Sequence, residues 1–348
     1  MAVTNSSIEW TDSTWSPVTG CTKVSPGCDN CYAEGIARRF SGTKAFPNGF
    51  EVTLRPERLD QPLRWKKPRR IFVNSMSDLF HDAVPDEYIA RVFAVMAATP
   101  DHTFQLLTKR HGRMRSLLSS TAFVEAVQVA FDALADEHEI DLIPGPWPLS
   151  NVHLGVSVED QKWADRRIPA LLDTPASVRW ISAEPLLGPV DLCGPIVNGH
   201  RPRLTYWLTG RPGWGNEYTT DTGITMTSPV TGPRLDWVVC GGESGHGARP
   251  MHPDWARSLR DQCVAAGVAF HFKQYGDWVA ESMWLHRDTA PAAFLSTDGT
   301  TRPLVNGKPT AAPMSRGKDI TIRRVGKKAA GRELDGRTWD EMPAEVAR

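Results

Sequence analysis

The sequence predicts an α/β chain built as a TIM-like full or partial (β/α) barrel, carrying an inserted loop or β subdomain and a C-terminal β-containing extension. Three observations predict it. Six short apolar runs, at 71–78, 103–110, 151–160, 178–185, 235–244 and 268–276, begin β-like and end in polar or Gly-rich residues. Several are separated by apolar residues at helical spacing, and strand–helix–strand units with apolar strands make a parallel sheet. No G-x-G-x-x-G follows the first run, and polar residues gather at the end of every run rather than at one switch point, which favours a barrel over a dinucleotide fold.

Taken in order, 32–40 (YAEGIARRF) reads as a short helix that places Cys31 near a helix N-terminus, where local positive potential favours a thiolate. Residues 52–54 suggest a short strand. The basic segment Arg64, Lys66, Lys67, Arg69 and Arg70, with Trp65 inside it, reads as a solvated connection or, more sharply, as a phosphate-contacting patch. In 86–98, Ile89, Val92, Phe93 and Met96 share a face, and Phe123, Val127, Phe131 and Leu134 repeat that spacing. The helix at 253–266 has Pro253 at its start, Trp255, Leu259 and Cys263 on one stripe, and Gly267 as its stop.

Two stretches break the rhythm. Residues 191–233 are rich in Gly, Pro and Thr, with Trp207 and Trp214, and read as an inserted lid or small β subdomain. Beyond Trp278 the pattern changes to a hairpin at 294–301, a strand at 320–325 and a basic run that includes Lys327 and Lys328. The expected organisation is a barrel-like domain over 1–278, with a cysteine loop near its start, and an extension over 279–348.

The chain has 348 residues, 40 basic and 40 acidic. With no net charge, any binding of nucleic acid or membrane must come from a local patch. Six cysteines are too few for a disulfide scaffold and suit a reducing compartment. No stretch has the form of a leader or a membrane span, so a soluble, cytoplasmic protein without a membrane partner is expected.

Side chains alternate along a strand, so Ser157 shares a face with Glu159, Ser182 with Glu184, and Gly241 with Glu243. Three glutamates would then converge at the C-terminal mouth, where barrel proteins bind ligands. Burying a carboxylate unpaired costs several kcal/mol, so they must be paired or ligand-bound. Lys109, Arg110, His271 and Lys273 are the available partners, which leaves a structural salt-bridge ring as the alternative. Asp78 and Asn74 are lesser candidates. The turn Gly241, Gly242, Glu243 lets backbone approach a ligand but lacks the residues of a P-loop. Cys193, Cys240 and Cys263 read as small buried hydrophobes.

Cys21, Cys28 and Cys31 form C-x6-C-x2-C. A redox pair would use Cys28 and Cys31 and leave Cys21 unexplained. A structural zinc site wants four ligands, and only His81 offers itself as a fourth. A cubane iron–sulfur cluster held by three thiolates keeps one iron open to a ligand, and three cysteines without a clear fourth favour it.

The loop, with Tyr32 and Ala33 after it and βα units beyond, resembles the cluster loop of the radical S-adenosylmethionine (SAM) superfamily. More closely, the chain resembles a phage-borne family of three-cysteine-motif proteins of unsettled function. The likeness runs through IEWTDSTWSPVTGCTKVSPGC at the start, VNSMSDLFH (73–81), LLTKR (106–110), LGVSVE (154–159), ISAEPLLG (181–188), VVCGGESG (238–245), HFKQYG (271–276) and GKKAAGRELDGRTWDEMP (326–343). The chain departs from the superfamily's loop in its first gap, six residues rather than three, and in having Asn30 before the third cysteine where an aromatic is usual.

The resemblance implies a barrel of the radical-SAM type and a 4Fe-4S cluster on Cys21, Cys28 and Cys31 that cleaves SAM reductively. It implies Tyr32 as the adenine-facing ring, and Ser157, Glu159, Glu184, Gly241, Gly242 and Glu243 as residues that hold SAM. Its implied partners are a nucleic acid or nucleotide-derived substrate, an electron donor and a genomically linked protein. Two other readings of the residues stand beside it: a non-catalytic, metal-stapled protein that binds nucleic acid or a partner through its basic segments, and a barrel hydrolase with a metal on Glu159, Glu184 and Glu243.

Overall fold

Seven parallel strands cross one sheet in chain order in the computed structural model: β1 (Ser13–Trp15), β2 (Arg70–Val73), β3 (Thr103–Thr108), β4 (Val152–Ser157), β5 (Val178–Ala183), β6 (Trp237–Gly241) and β7 (Ala269–Gln274). The structure describes residues 6, 8–194, 206–210, 212–219, 225–283, 291–305, 308–309 and 319–344. Six strands fall on the apolar runs. The first, β1, is three residues long and pairs Trp15 with Val73.

Helices α1 (Tyr32–Arg39), α2 (Asp86–Ala97), α3 (His111–Leu118), α4 (Thr121–His138), α5 (Gln161–Leu172) and α6 (Pro253–Ala266) connect and flank the sheet. The strands alternate between two apolar layers. Ile71, Val73, Phe104, Leu106, Leu154, Val156, Ile181, Val238, Phe270 and Phe272 share one core with helical residues such as Ile89, Phe93, Phe131, Ile168 and Leu259. Phe72, Trp180, Trp237 and Val239 face the other way and gather around Trp10.

That second layer shows how far the sheet curls. The Trp10 ring lies 4.8 Å from Phe72, 5.3 Å from Trp180 and 5.7 Å from Trp237. A flat sheet would hold β2 and β6 about 19 Å apart, four spacings of ~4.8 Å. One indole can touch both only because the inner face is concave. β1 and β7 do not pair with each other, so the sheet fits a partial barrel. The free edge of β7 is covered by the antiparallel segment Trp339–Glu341, through Phe272 N to Trp339 O at 2.9 Å and Glu341 N to Phe270 O at 3.3 Å.

After β7 the chain enters a five-stranded antiparallel sheet. Its strands are β8 (Trp278–Ala280), β9 (Ala292–Leu295), β10 (Thr301–Val305), β11 (Lys308–Pro309) and β12 (Ile320–Arg324), in the order β8-β12-β9-β10-β11. β9 and β10 form the hairpin expected at 294–301. Within the insertion at 191–233, Pro212–Thr219 pairs antiparallel with Thr225–Thr231, whereas 195–205, 211 and 220–224 lie outside the described residues. The basic segment at 64–70 precedes β2 and therefore sits at the N-terminal end of the sheet, opposite the mouth. There Arg64 pairs with Asp60, Arg70 with Asp12, and the Arg69 guanidinium lies over Trp65. Among the described residues no single helix is long and apolar enough to cross a membrane; the bent pair α3 and α4 passes such a test by length and composition only.

Two histidines lie inside the curl with unpaired ring nitrogens, Nδ1 of His153 and both nitrogens of His271, the latter 3.9 Å from Asp340. Burial pushes both down to about 4. An unfolded chain binds those protons nearer pH 6.5, so between about 4 and 6.5 the unfolded state holds more protons and stability rises with pH. Lowering the pH through that window should therefore cost on the order of 3 kcal/mol per histidine. Urea unfolding from pH 7 to pH 4.5 should show this slope, to which His81, His102 and His111 also contribute, and a His271→Leu variant should reduce it; equal slopes would exclude His271 as a source.

Candidate functional site

The cysteine loop leaves β1 and the short antiparallel pair Val18–Thr19 and Thr53–Leu54, turns at Pro26–Cys28, and enters α1 with Cys31 as its N-cap residue. All three cysteines are partly buried and line one cavity of about 660 Å³ at the C-terminal mouth of the curled sheet. Tyr32, Ser157, Ser182, Glu184, Gly242, Glu243 and Lys273 line the same cavity, and Trp10 and Phe72 contribute apolar lining. Among the described residues no group of three or more His, Cys, Asp or Glu stands close enough to form a metal site by itself.

The three glutamates at the strand ends do different work. Glu159 is fully buried and is not on the cavity wall. Its Oε2 accepts from Arg167 Nη1 at 2.8 Å and its Oε1 from Ser25 Oγ at 2.6 Å, so it grips the cysteine loop from below. Gly27 is required at this contact, because a Cβ there would lie 2.5 Å from Glu159 Oε1. The site expected for Glu159 at the mouth is thus occupied by the loop that it anchors.

Glu243 faces the cavity and also holds the loop. It accepts from Asn30 Nδ2 at 3.0 Å, from the Arg249 amide at 2.8 Å, and from Arg249 Nε and Nη2 at 2.8 and 2.7 Å. Arg249 continues to Pro26 O and to Asp29. Burial opposes ionisation of Glu243, but these bonds outweigh it and hold the carboxyl below its ordinary range. Gly242 must be glycine for a structural reason, since a Cβ would meet Tyr275 O at 1.9 Å. Gly241 is not on the wall; its Cα hydrogens face Glu184.

Only Glu184 remains directed into open volume. Both its oxygens accept from Lys273 Nζ at 2.9 Å, and Oε1 accepts from Gln274 Nε2 at 3.1 Å. Ser157 Oγ accepts from Lys109 Nζ at 3.1 Å beside it. Each of Glu159, Glu184 and Glu243 is thus paired with a cation of the fold, Arg167, Lys273 and Arg249 respectively.

At the other wall, Arg110 ties the first cysteine down. Its Nη1 donates to Cys21 Sγ at 3.4 Å and to Asp78 Oδ2 at 3.3 Å, while Nη2 bonds Thr22. Burial, reinforced by the Asp78 charge, pushes the Cys21 thiol up, and the Arg110 guanidinium pulls it back. His81, the sequence candidate for a fourth ligand, is engaged elsewhere. Its Nδ1 accepts from the Ala83 amide at 3.0 Å, which puts the proton on Nε2 for the 2.9 Å bond to Thr22 Oγ1. Asn74, with φ +59°, accepts from the Val18 amide and shapes the turn after β2.

Sequence reading missed Arg167 and Arg249, and did not place Lys327 at the mouth. Arg167 occupies a buried stripe with Ala164, Ile168 and Leu171, and an arginine at helical spacing among apolar residues is a readable signal for a buried anion. Lys327 reaches the cavity from the C-terminal extension, held by Val325 N and Gly326 N on Asp277 O at 2.8 and 3.0 Å.

A protein-family model spans residues 5–343 of this chain. The chain belongs to the family described as Protein of unknown function (DUF5131). No curated protein and no solved structure matches it. The DUF5131 match takes in the cysteine loop, every strand of the curled sheet, Lys327 and the Trp339–Glu341 segment, so the whole site lies within the family's extent.

Proposed function

We propose that this DUF5131 chain is a radical-SAM-type iron–sulfur enzyme that modifies a nucleic acid or nucleotide-derived substrate. The observation that carries the reading is the placement of three thiols from one loop on a single cavity at the C-terminal mouth of a curled parallel sheet. A zinc knot is less well supported, since His81, the candidate for its fourth ligand, has its ring committed to Thr22 and Ala83. The donor set, three sulfurs with no free fourth group among the described residues, suits a cluster with one open iron.

Cys21, Cys28 and Cys31 would hold the cluster. When bound, it would pass one electron to SAM and release a 5′-deoxyadenosyl radical that takes hydrogen from the substrate. The chain's own contribution is binding and exclusion. Glu184 and Lys273 present an acid and a base side by side, which matches the two charges of an amino acid group. Tyr32 exposes more than half its surface and fixes its hydroxyl on Ser75 O, so its ring offers a flat face to an adenine. The Glu159 and Glu243 clamps set the loop's shape before any metal arrives, which lowers the ordering cost of loading. An electron donor is the further partner this chemistry requires.

Anaerobically reconstituted protein, reduced with dithionite and supplied with SAM, should accumulate 5′-deoxyadenosine and methionine in equal amounts. Purified protein that holds one zinc per chain and takes up no iron would refute the proposal.

A further inference from the structure

Helix α1 is built inside out. Tyr32, Ile36 and Phe40 recur at i, i+4 and so form one stripe, yet that stripe is the exposed one. The buried face carries only Ala33 and Ala37. With Val24 from the cysteine loop, these three are half of the eight large apolar side chains exposed among the described residues. Tyr32 and Val24 also line the cavity, so the stripe runs outward from the mouth. A contiguous exposed apolar strip beside a cavity marks an interaction site.

Several carboxylates at the mouth are neutralised within the fold: Asp29 and Glu243 by Arg249, Glu34 by Lys23 and Arg38, Asp78 by Arg110, Glu184 by Lys273. Glu51, next to Phe50 on the cavity wall, and Asp82, next to His81, form no ion pair with a described residue. Arg39, 5.9 Å over the Phe40 ring, and Lys44 have no carboxylate within ion-pair distance among the described residues. Nor do Lys327, on the cavity wall, and Lys328 beside it. Four cations beside the stripe and the mouth thus lack a carboxylate partner among the described residues.

We propose that the α1 stripe, with Arg39, Lys44, Lys327 and Lys328, is a docking surface for single-stranded nucleic acid. Aromatic rings on which bases stack, flanked by cations that track phosphates, are the recurring solution for single strands. Phe40, with Ile36 beside it on the stripe, supplies the platform and the four cations the phosphate contacts. A duplex fits poorly because pairing hides the base faces that the stripe would cover. The inference deepens the proposed function, and for the fate of a base delivered to the cavity it rests on that reading; the docking itself needs no cluster.

Fluorescence anisotropy of the full chain tests it, using labelled DNA and RNA single strands longer than the roughly 4–16 nucleotides one such site covers, and the matching duplex. Single strands should bind at least about tenfold tighter than duplex, with RNA and DNA arms showing which backbone is preferred. An Ile36→Ala, Phe40→Ala double variant should bind about tenfold more weakly while remaining folded, since both side chains are about half exposed. Lys327→Ala with Lys328→Ala should lower the slope of log K against log salt by about 1.4. Undiminished binding by the folded Ile36/Phe40 variant, equal affinity for duplex, or binding to phosphatidylserine vesicles but to no oligonucleotide would each overturn the proposal. SAM cleavage without nucleic acid should be unchanged in the Ile36/Phe40 variant. Cleavage without oligonucleotide binding would therefore remove only the docking surface, and binding without cleavage only the enzyme reading.

Discussion

Replacing Cys28 by alanine should empty the site. Reconstituted wild-type protein is expected to carry roughly four irons and four sulfides per chain, the content of one cubane. Cys28→Ala, and Cys21→Ala or Cys31→Ala separately, should fall below about one iron and lose the broad visible absorption of the cluster. The three thiols line one cavity. Cys263 supplies the control. It is fully buried against the sheet on α6, and Cys263→Ala should melt earlier yet keep its iron. Full iron retention by any of the three loop variants would break the assignment.

Arg167→Met should destabilise the protein by about 3–5 kcal/mol, a large share of the roughly 5–15 kcal/mol that holds an ordinary domain together. Both side chains of the Arg167–Glu159 pair have no exposed surface, and removing the cation strands a carboxylate in the interior. The second substitution decides the mechanism. Glu159→Gln together with Arg167→Met removes both charges and should recover most of the loss, since replacing a buried pair costs far less than breaking one. Midpoints of urea unfolding measure both. If the double variant is no more stable than the single, the damage comes from lost packing over Trp163, where the guanidinium lies 4.1 Å from the ring, and not from the stranded charge.

Much of this arrangement was written in local pattern. The six apolar runs became β2 to β7 because strands covered on both faces read as nearly continuous hydrophobic stretches. The helix stops were legible too, as at Gly267, which ends α6 with φ +66°. β1 was hidden because three residues, Ser13 to Trp15, carry no periodicity, and its place is decided by pairing with β2. α5 was obscured by Pro169 inside it and by its charged residues, although Asp160 caps it by accepting from the Trp163 amide at 3.0 Å.

The site divided in the same way. Strand alternation put Ser157, Ser182, Glu184 and Glu243 at the mouth, and they are there. It could not say that Glu159 would turn away to Arg167 and Ser25, because the partners are set by how α5 and the cysteine loop settle on the strand ends. Nor could it connect Arg249 to Asp29, 220 positions apart in the chain. Which end of the barrel each basic segment serves was not legible for a related reason. Charge runs are visible in sequence, but which end of a barrel they reach depends on whether they precede or follow a strand: 64–70 precedes β2, whereas Lys327 is carried back to the mouth by the C-terminal extension.

The segment Trp339–Glu341 beside β7 has a consequence for biosynthesis. Until it emerges from the ribosome, β7 is complete but its outer backbone groups are unsatisfied, a template for pairing with any extended chain nearby. Trp237 Nε1 also waits for this segment, donating to Glu341 O at 2.9 Å in the finished protein. The nascent chain therefore passes through a window, some 65 residues long by the separation of β7 from Trp339 at roughly 5–20 residues per second, in which co-translational aggregation competes with closure.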